Sequence, residues 1–504
     1  MALEIRTKKD DDMKKAEITA FLSLTFVLLV SFVLGILEIS VLHTSKNMSR
    51  LAADRAVFSV FGEYQKKLLD DYHVFAVDGS YGTGDYTEER VLGRMRCYGT
   101  EGMEHEVTGI QFLTDMKGQA FREQVLEYME SKYGVSLIRD LTGMIPKWEE
   151  EKIQGENMEE KESTILDEYE ELKSSAPDPS VEESGEAVSG TGEETEGTGE
   201  QTSDTEMEGS PFGCLEQIEK SGLLSVVMPK EMELSGLEIE LDNQASVRSL
   251  NQGRGTFPVR QSTDGAEEKL LFNEYVMERF QNAVTETKEE TADTGKTEDV
   301  GNRSLAYETE YIIAGKSSDK ENLEAVLFRI FLIRMALNYA YLLTDTQKQS
   351  QAGTLSTTIS ALLLIPQASE ILKQLVLLAW AAGESVVDLR TLLSGKKTAL
   401  VKNADNWQLP LSSLLTLGSG SENTPGEDAE NGITYEEYLR AFLFLENSEE
   451  VTMRTIDRAE ENMKTEHGLE FFRADQCFTK IEIKNQVELF GGLTYTFPVY
   501  FGYL

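Results

Sequence analysis

The sequence predicts an α+β protein built on a single N-terminal transmembrane helix that continues into an amphipathic stalk helix. A mostly helical extracytoplasmic domain should follow, with small β elements, a long disordered acidic linker and a C-terminal β-hairpin. Three observations carry this. Ile18–Leu37 is a run of 20 residues without a charge, which as a helix spans about 30 Å, one bilayer core. Apolar residues then recur at three- and four-residue steps from Leu42 to Leu68, one stripe on a helix. The stretch 477–504 alternates with period two on either side of Gly491-Gly492, the pattern of a hairpin.

Taken in order, residues 1–17 read as a cytoplasmic tail, because Arg6, Lys8, Lys9, Lys14 and Lys15 precede the apolar run and basic residues stay inside. The span is residues 18–38. A cleaved signal peptide is the competing reading; the run is long for one, and no small-residue cleavage site follows it, only Glu38, Ile39 and Ser40. Residues 39–70 form the stalk. Its stripe is rich in small residues, so another element can approach closely along Ala52, Ala53, Ala56, Val60 and Tyr64. That face can pack on the chain's own globular part or on a partner.

Residues 71–148 predict a small α/β unit. Tyr72–Val77 and His105–Leu113 are strand-like, and Gln119–Gly134 is an amphipathic helix with Phe121, Val125, Leu126 and Met129 on one side. In 149–212 the composition shifts: Glu149–Ser210 holds 22 acids against three lysines, too little apolar surface to offset chain entropy, hence a disordered, solvated linker. No D-x-D-x-D-G calcium loop occurs in it. Residues 213–280 form an α/β segment with a strand signal at Gly236–Leu241 and a helix at Glu267–Phe280, and 281–304 is a flexible loop.

Residues 305–504 predict a helical core closed by the hairpin. Helices are expected at Asn322–Leu343, Ser369–Gly395, Thr434–Leu445 and Val451–Gly468. The apolar runs Ile359–Ile365 and Gln374–Gly383 are too short to span a bilayer and fit buried core helices.

The totals exclude several functions. With 89 acidic against 48 basic residues the net charge is −41, which repels phosphate backbones and excludes nucleic acid as a partner. Cys97, Cys214 and Cys477 are too few and too scattered for a disulfide framework or a zinc site, and His43, His73, His105 and His467 share no metal-ligand spacing. Catalytic patterns are weak. Gly395–Thr398, GKKT, lacks the upstream Gly of a phosphate loop, since position 390 is Arg. It reads as a helix cap and basic turn. Ser394 with Lys397 and Ser317 with Lys320 each make S-x-x-K, but the companion motifs of penicillin-recognising enzymes are missing. Trp380 and Glu384, one turn apart, read as orienting and capping a buried helix. No enzyme, cofactor or metal is expected; an anchored serine hydrolase is the least supported alternative, after an anchored surface-binding protein.

The order of features over residues 14–77 resembles TadE/TadG-like proteins, pseudopilin-like components of tight-adherence (Tad) pilus and secretion clusters. A basic pair, the run from Ile18, Ala52-Ala53-Asp54-Arg55-Ala56 and Tyr72-His73-Val74-Phe75-Ala76 follow the family's apolar helix, its AADAA-like knot and its YGLFA close, with His73 at the usual Gly. The later helices and the hairpin are similar to an uncharacterised family of Gram-positive Tad-type clusters. The resemblance implies a non-enzymatic, single-pass cell-membrane protein, N-terminus cytoplasmic and bulk extracytoplasmic. Its partners would be the lipid bilayer and other Tad components. Pilin processing uses a Gly before the mature N-terminus and a Glu five residues in. Here Lys15 precedes Ala16, and Glu17 is the nearby acid. The resemblance therefore implies an accessory or minor component.

Overall fold

The computed structural model describes residues 2–142, 213–228, 234–260, 265–284, 303–362, 366–414 and 426–503, with the single positions 153, 157 and 164. The expected linker 149–212 and most of the loop 281–304 lie outside the described residues. The chain is mostly helical, with a small antiparallel sheet and the C-terminal hairpin. It divides into two units.

The first unit takes residues 1–124, 249–261 and 467–504. Its helix α1, Ala2–Phe61, is 60 residues long, about 90 Å at the α-helical rise. It is long and apolar enough to cross a membrane, and the other described residues leave its apolar window uncovered. The helix ends at Phe61, short of the expected residue 70. Gly62 breaks it, and a separate short helix α2 covers Lys66–Tyr72. α2 stops because His73 adopts φ 55°, ψ 34°, the left-handed position that closes helices. This also shortens the strand expected over Tyr72–Val77 to β1, Val77–Asp78. Helix α3 (Glu88–Met95) leads through a wide turn, Arg96–Thr100, into β2, Glu104–Phe112.

The hairpin supplies β3 (Cys477–Leu489) and β4 (Leu493–Gly502). β3 is the middle strand, antiparallel to β2 along one edge and to β4 and β1 along the other. Gly491 and Gly492 take φ 82° and 75° at the tip, a turn that other residues enter only with strain. β4 alternates cleanly: Phe497 and Val499 are buried, while Thr496, Pro498 and Tyr500 are exposed. Cys97 is exposed and Cys477 buried.

The second unit takes residues 125–248 and 262–466, so the unit boundary falls inside α4, Asp115–Thr142. Phe121, Val125, Leu126 and Met129 are all buried. The helices α5 (Gly213–Ser221), α6 (Leu224–Val227) and α7 (Ala266–Arg279) precede α8, Glu308–Ala314. The strand expected at Gly236–Leu241 is a single bridge, Glu238 to Ser318. Next come α9 (Asp319–Thr344), α10 (Thr346–Leu362), α11 (Ser369–Leu393) and α12 (Leu411–Leu414). α9 is apolar on most faces because it is a core helix, with most of its apolar window buried. On α10, Leu362 is 67% exposed, so the run from Ile359 is not wholly core as expected.

α13 (Tyr435–Leu445) starts with a capping box, the Thr434 hydroxyl accepting from the Glu437 N–H and the Glu437 carboxylate from the Thr434 N–H. α14 (Ser448–Thr465) is capped by the Asn447 side chain. The hairpin, which the sequence groups with the helices of 305–504, belongs instead to the first unit.

Candidate functional site

Among the described residues, side chains that could act concentrate at the packing face of α1, in a groove on the first unit, and in buried charge clusters in the second.

On α1 the burial follows the expected stripe. Ala53 and Ala56 are fully buried, Val60 is 2% exposed, and Ala52 is half-buried. Ala53, Ala56 and Val60, with Val57 and Phe61, join one cluster with Val91, Leu92 and Met95 of α3 and with Ile110, Phe112, Phe478, Ile481, Phe497 and Val499 of the sheet. Phe61 anchors it, its ring centroid 4.6 Å from Phe501, 5.0 Å from Tyr503 and 5.5 Å from Phe478. The Tyr503 hydroxyl donates to the Phe61 carbonyl, closing the helix end that Gly62 opens. Lys46 and Arg50 lie over the Tyr495 ring at 5.0 and 5.5 Å, a cation–π arrangement. Tyr64 is not on the stripe; beyond the helix end, its ring sits 5.3 Å from Phe75. Of the two partners the face could have taken, the chain's own sheet fills the position. Ala56→Leu should therefore overpack the cluster and cost roughly 1–3 kcal/mol, read as a lower urea midpoint of the full chain in detergent. An unchanged midpoint would mean that the face is open.

The groove, of about 610 Å³, lies between α3 and the outer edge of β2, lined by Glu88, Glu89, Leu92, His105, Glu106 and Arg254 among others. Its charges are already paired. Arg254 binds Glu88 and donates to the Val107 carbonyl at 2.5 Å. Glu89 meets Arg96 at 2.5 Å, and Glu106 meets Lys484 at 3.0 Å. His105 contacts Asn485 Oδ1 at 2.7 Å and Thr100 Oγ1 at 2.9 Å through its two ring nitrogens. Burial pulls its pKa below the ordinary 6.5, so the ring is neutral at pH 7. With both nitrogens engaged it is a strut between turn and strand, and the Thr100 hydroxyl beside it donates to the Met95 carbonyl at 2.9 Å. The groove presents a polar, charge-lined surface.

In the second unit, α9 contributes Arg334 and Asn338, α11 contributes Glu384, Ser385 and Asp388, and the segment after α11 contributes Lys402. All six are at most 3% exposed. Asp388 Oδ2 accepts from Arg334 Nε at 3.0 Å, Arg334 Nη2 at 2.8 Å and Asn338 Nδ2 at 3.1 Å. Its Oδ1 meets Lys402 Nζ at 2.8 Å. Lys402 also reaches Glu384 Oε1 at 2.6 Å. The other Glu384 oxygen accepts the Leu409 N–H at 2.7 Å, and Trp380 Nε1 donates to the Leu409 carbonyl at 2.8 Å. Two cations thus face two anions. Burial pushes the Asp388 carboxyl up, but Arg334 and Lys402 override it and hold the group below its ordinary range. Glu384 is raised by burial, which Lys402 only partly opposes. Asp388 ties the two helices together and, with Glu384, holds the segment Lys402–Leu409 on α11, the arrangement of a structural clip. Trp380 and Glu384 lie in the middle of α11 and cap no helix end; they hold the irregular Gln408–Leu409 backbone instead.

A second cluster was not visible in the sequence. Glu308, Glu310, Asp319 and Asp457 are each at most 1% exposed, and each accepts backbone N–H groups from irregular chain or from the start of a helix. Glu308 takes the Gln281 N–H, Glu310 the Ala283 N–H, Asp319 those of Ala306 and Tyr307, and Asp457 that of Ser246. Buried backbone donors outside helices and strands need such partners. The available signal was the apolar setting of Tyr307–Ala314, YETEYIIA: acids amid core residues are buried acids.

The S-x-x-K pairs do not form a reactive couple. The Ser394 hydroxyl donates to the Thr391 carbonyl at 2.8 Å and Ser317 to Glu321 Oε2 at 2.8 Å. Gly395 has φ 77°, the helix cap read from GKKT.

No curated protein and no solved structure matches the chain. A family model described as a family of unknown function, DUF5702, matches residues 200–489; the chain belongs to that family.

Proposed function

We propose that the protein is a non-enzymatic, single-pass membrane component, accessory or minor, of a Tad-type pilus or secretion system. Its N-terminus is cytoplasmic and its bulk is exposed outside the cell membrane. The observation that carries this is α1. One unbroken helix runs from the uncharged stretch Ile18–Leu37 to Phe61, where its far end is locked into the core of the first unit. A helix that only had to anchor could end at the interface; one fastened to a sheet transmits force and position. The left-handed φ at His73 also supports the reading, because TadE/TadG-like proteins place a Gly there and Gly suits that conformation.

Cys97 provides a native probe. In a Cys214→Ser chain, a membrane-impermeant maleimide added to intact cells should label exposed Cys97 and leave buried Cys477 unlabelled. Labelling only after lysis would reverse the topology. Deleting the gene should abolish or shorten Tad-type surface filaments in a host whose secretion ATPase is encoded beside it. Unchanged filaments would sink the assembly role. The groove beside His105 favours a second reading, an anchored surface protein that binds a polar partner. Labelled Cys97 with intact filaments would point there.

A further inference from the structure

The face of α1 opposite its packing stripe is also patterned. Between Val41 and Phe58 the positions Val41, Thr44, Met48, Leu51, Arg55 and Phe58 follow strict three-four spacing, the repeat of a left-handed coiled-coil seam. All six are exposed, Met48, Leu51 and Phe58 at 64% each, although Phe58 also touches Phe501 with its ring. At 100° per residue this line falls on the far side of the helix from Ser49, Ala53, Ala56 and Val60. The same spacing continues down into the apolar stretch through Leu37, Leu34, Val30 and Val27. Large apolar side chains in a line outside the hydrocarbon mark a contact. Lys46 and Arg50, the nearby cations, are turned away over Tyr495.

We infer that this seam pairs with the α1 helix of a second copy of the chain, parallel and in register. The inference rests on the membrane reading above, because a bilayer inserts every copy in one direction and so brings equal-numbered residues together. Period and charge both favour an identical partner. A 3.5-residue repeat matches itself along its whole length only when the facing helix carries the same repeat. Arg55 is the one charged side chain on the seam from Val41 to Phe58, and Asp54 flanks it. In a parallel pair a flanking residue lies beside the partner's seam residue, so each Arg55 meets the other copy's Asp54. Other occupants have no such built-in counter-charge.

The test uses the full chain in its own membranes with Cys97 and Cys214 replaced by Ser. Leu51→Cys should form a disulfide-linked homodimer on mild oxidation, at several times the yield of His43→Cys, which is exposed on α1 but off the seam. Asp54→Arg should cut the Leu51→Cys yield severalfold, and Asp54→Arg with Arg55→Asp should restore it. Equal yields at both cysteines, no dimer, or adducts only with other proteins would overturn the pairing. Alkaline carbonate extraction separates the two claims. A chain that stays in the pellet without cross-linking refutes the pairing alone. A chain released by carbonate refutes the anchor and the parallel alignment with it.

Discussion

Asp388→Asn should destabilise the full chain in detergent by roughly 3–5 kcal/mol, the largest loss expected from any single polar substitution in the second unit. The change keeps the shape of the side chain and removes one charge. Arg334 then loses its carboxylate partner and Lys402 keeps Glu384 alone, at positions no more than 3% exposed, where an uncompensated cation cannot recover its hydration. The direction of the Asp388 shift leads to the same conclusion. Its carboxyl sits below the ordinary range, burial being outweighed by Arg334 and Lys402, so the folded state holds the charged form more tightly than the unfolded chain does. The stability it contributes is present above the unfolded pKa and is lost as pH falls through the folded value. Chemical denaturation at pH 7 and at lower pH checks both statements. The deficit of Asp388→Asn relative to wild type should shrink on acidification, because only the wild type carries the Asp388 contribution that falling pH removes. Arg334→Met combined with Asp388→Leu should cost less than either change alone, because it removes charge and counter-charge together. A loss below about 1 kcal/mol for Asp388→Asn would mean that water reaches the cluster.

The parts of the fold that sequence periodicity exposes are those whose stabilisation is local or one-faced. Helix α11 ends at its Gly395 cap, α13 starts at its Thr434 box, and the hairpin pivots on Gly491-Gly492, all within a residue or two of expectation. Each of these signals lies within a few residues of the feature it sets. Long-range pairing leaves no such local trace. Nothing near Cys477 announces that β3 will lie between β2 and β4, across some 370 residues of chain, and so the hairpin seemed to close the helical segment. The α1 stripe was legible as a packing face, but its partner was not. Only the aromatic inner face of β4, with Tyr495, Phe497 and Phe501, shows what the small residues Ala53 and Ala56 make room for. The end of α1 was misplaced for a physical reason: Leu68 continues the apolar spacing, yet Gly62 and the Tyr503–Phe61 hydrogen bond end the helix first. The buried acids were hidden by abundance, since 89 carboxylates give no single one prominence until burial separates them.

Glu310 is the group whose burial makes the sharpest prediction with pH. Its side chain is fully buried at the start of α8. Oε1 accepts the Ala283 N–H at 3.0 Å and the Tyr435 hydroxyl at 2.8 Å, while Oε2 has no hydrogen-bond partner among the described residues. Burial raises the carboxyl from 4.5 to about 7, against the pull of those two donors, and the buried Asp319 nearby adds to the rise. The folded protein therefore prefers the protonated form. That contribution is fully present below the unfolded pKa near 4.5 and is lost as pH climbs to about 7, by about 3 kcal/mol in total. Glu308 and Asp457 are raised by burial as well and slope the same way, opposite to Asp388. Glu310→Gln keeps an acceptor for Ala283 and Tyr435 but cannot ionise. Its stability relative to wild type should be near zero at pH 4.5 and grow to about +3 kcal/mol at pH 8, the difference developing across the window between the two pKa values. Urea midpoints of both chains over that range measure it. A difference independent of pH would show that Glu310 titrates near its ordinary value, with solvent at Oε2. In that case α8 would owe its position to the Asp319 and Asp457 contacts rather than to a carboxyl kept neutral.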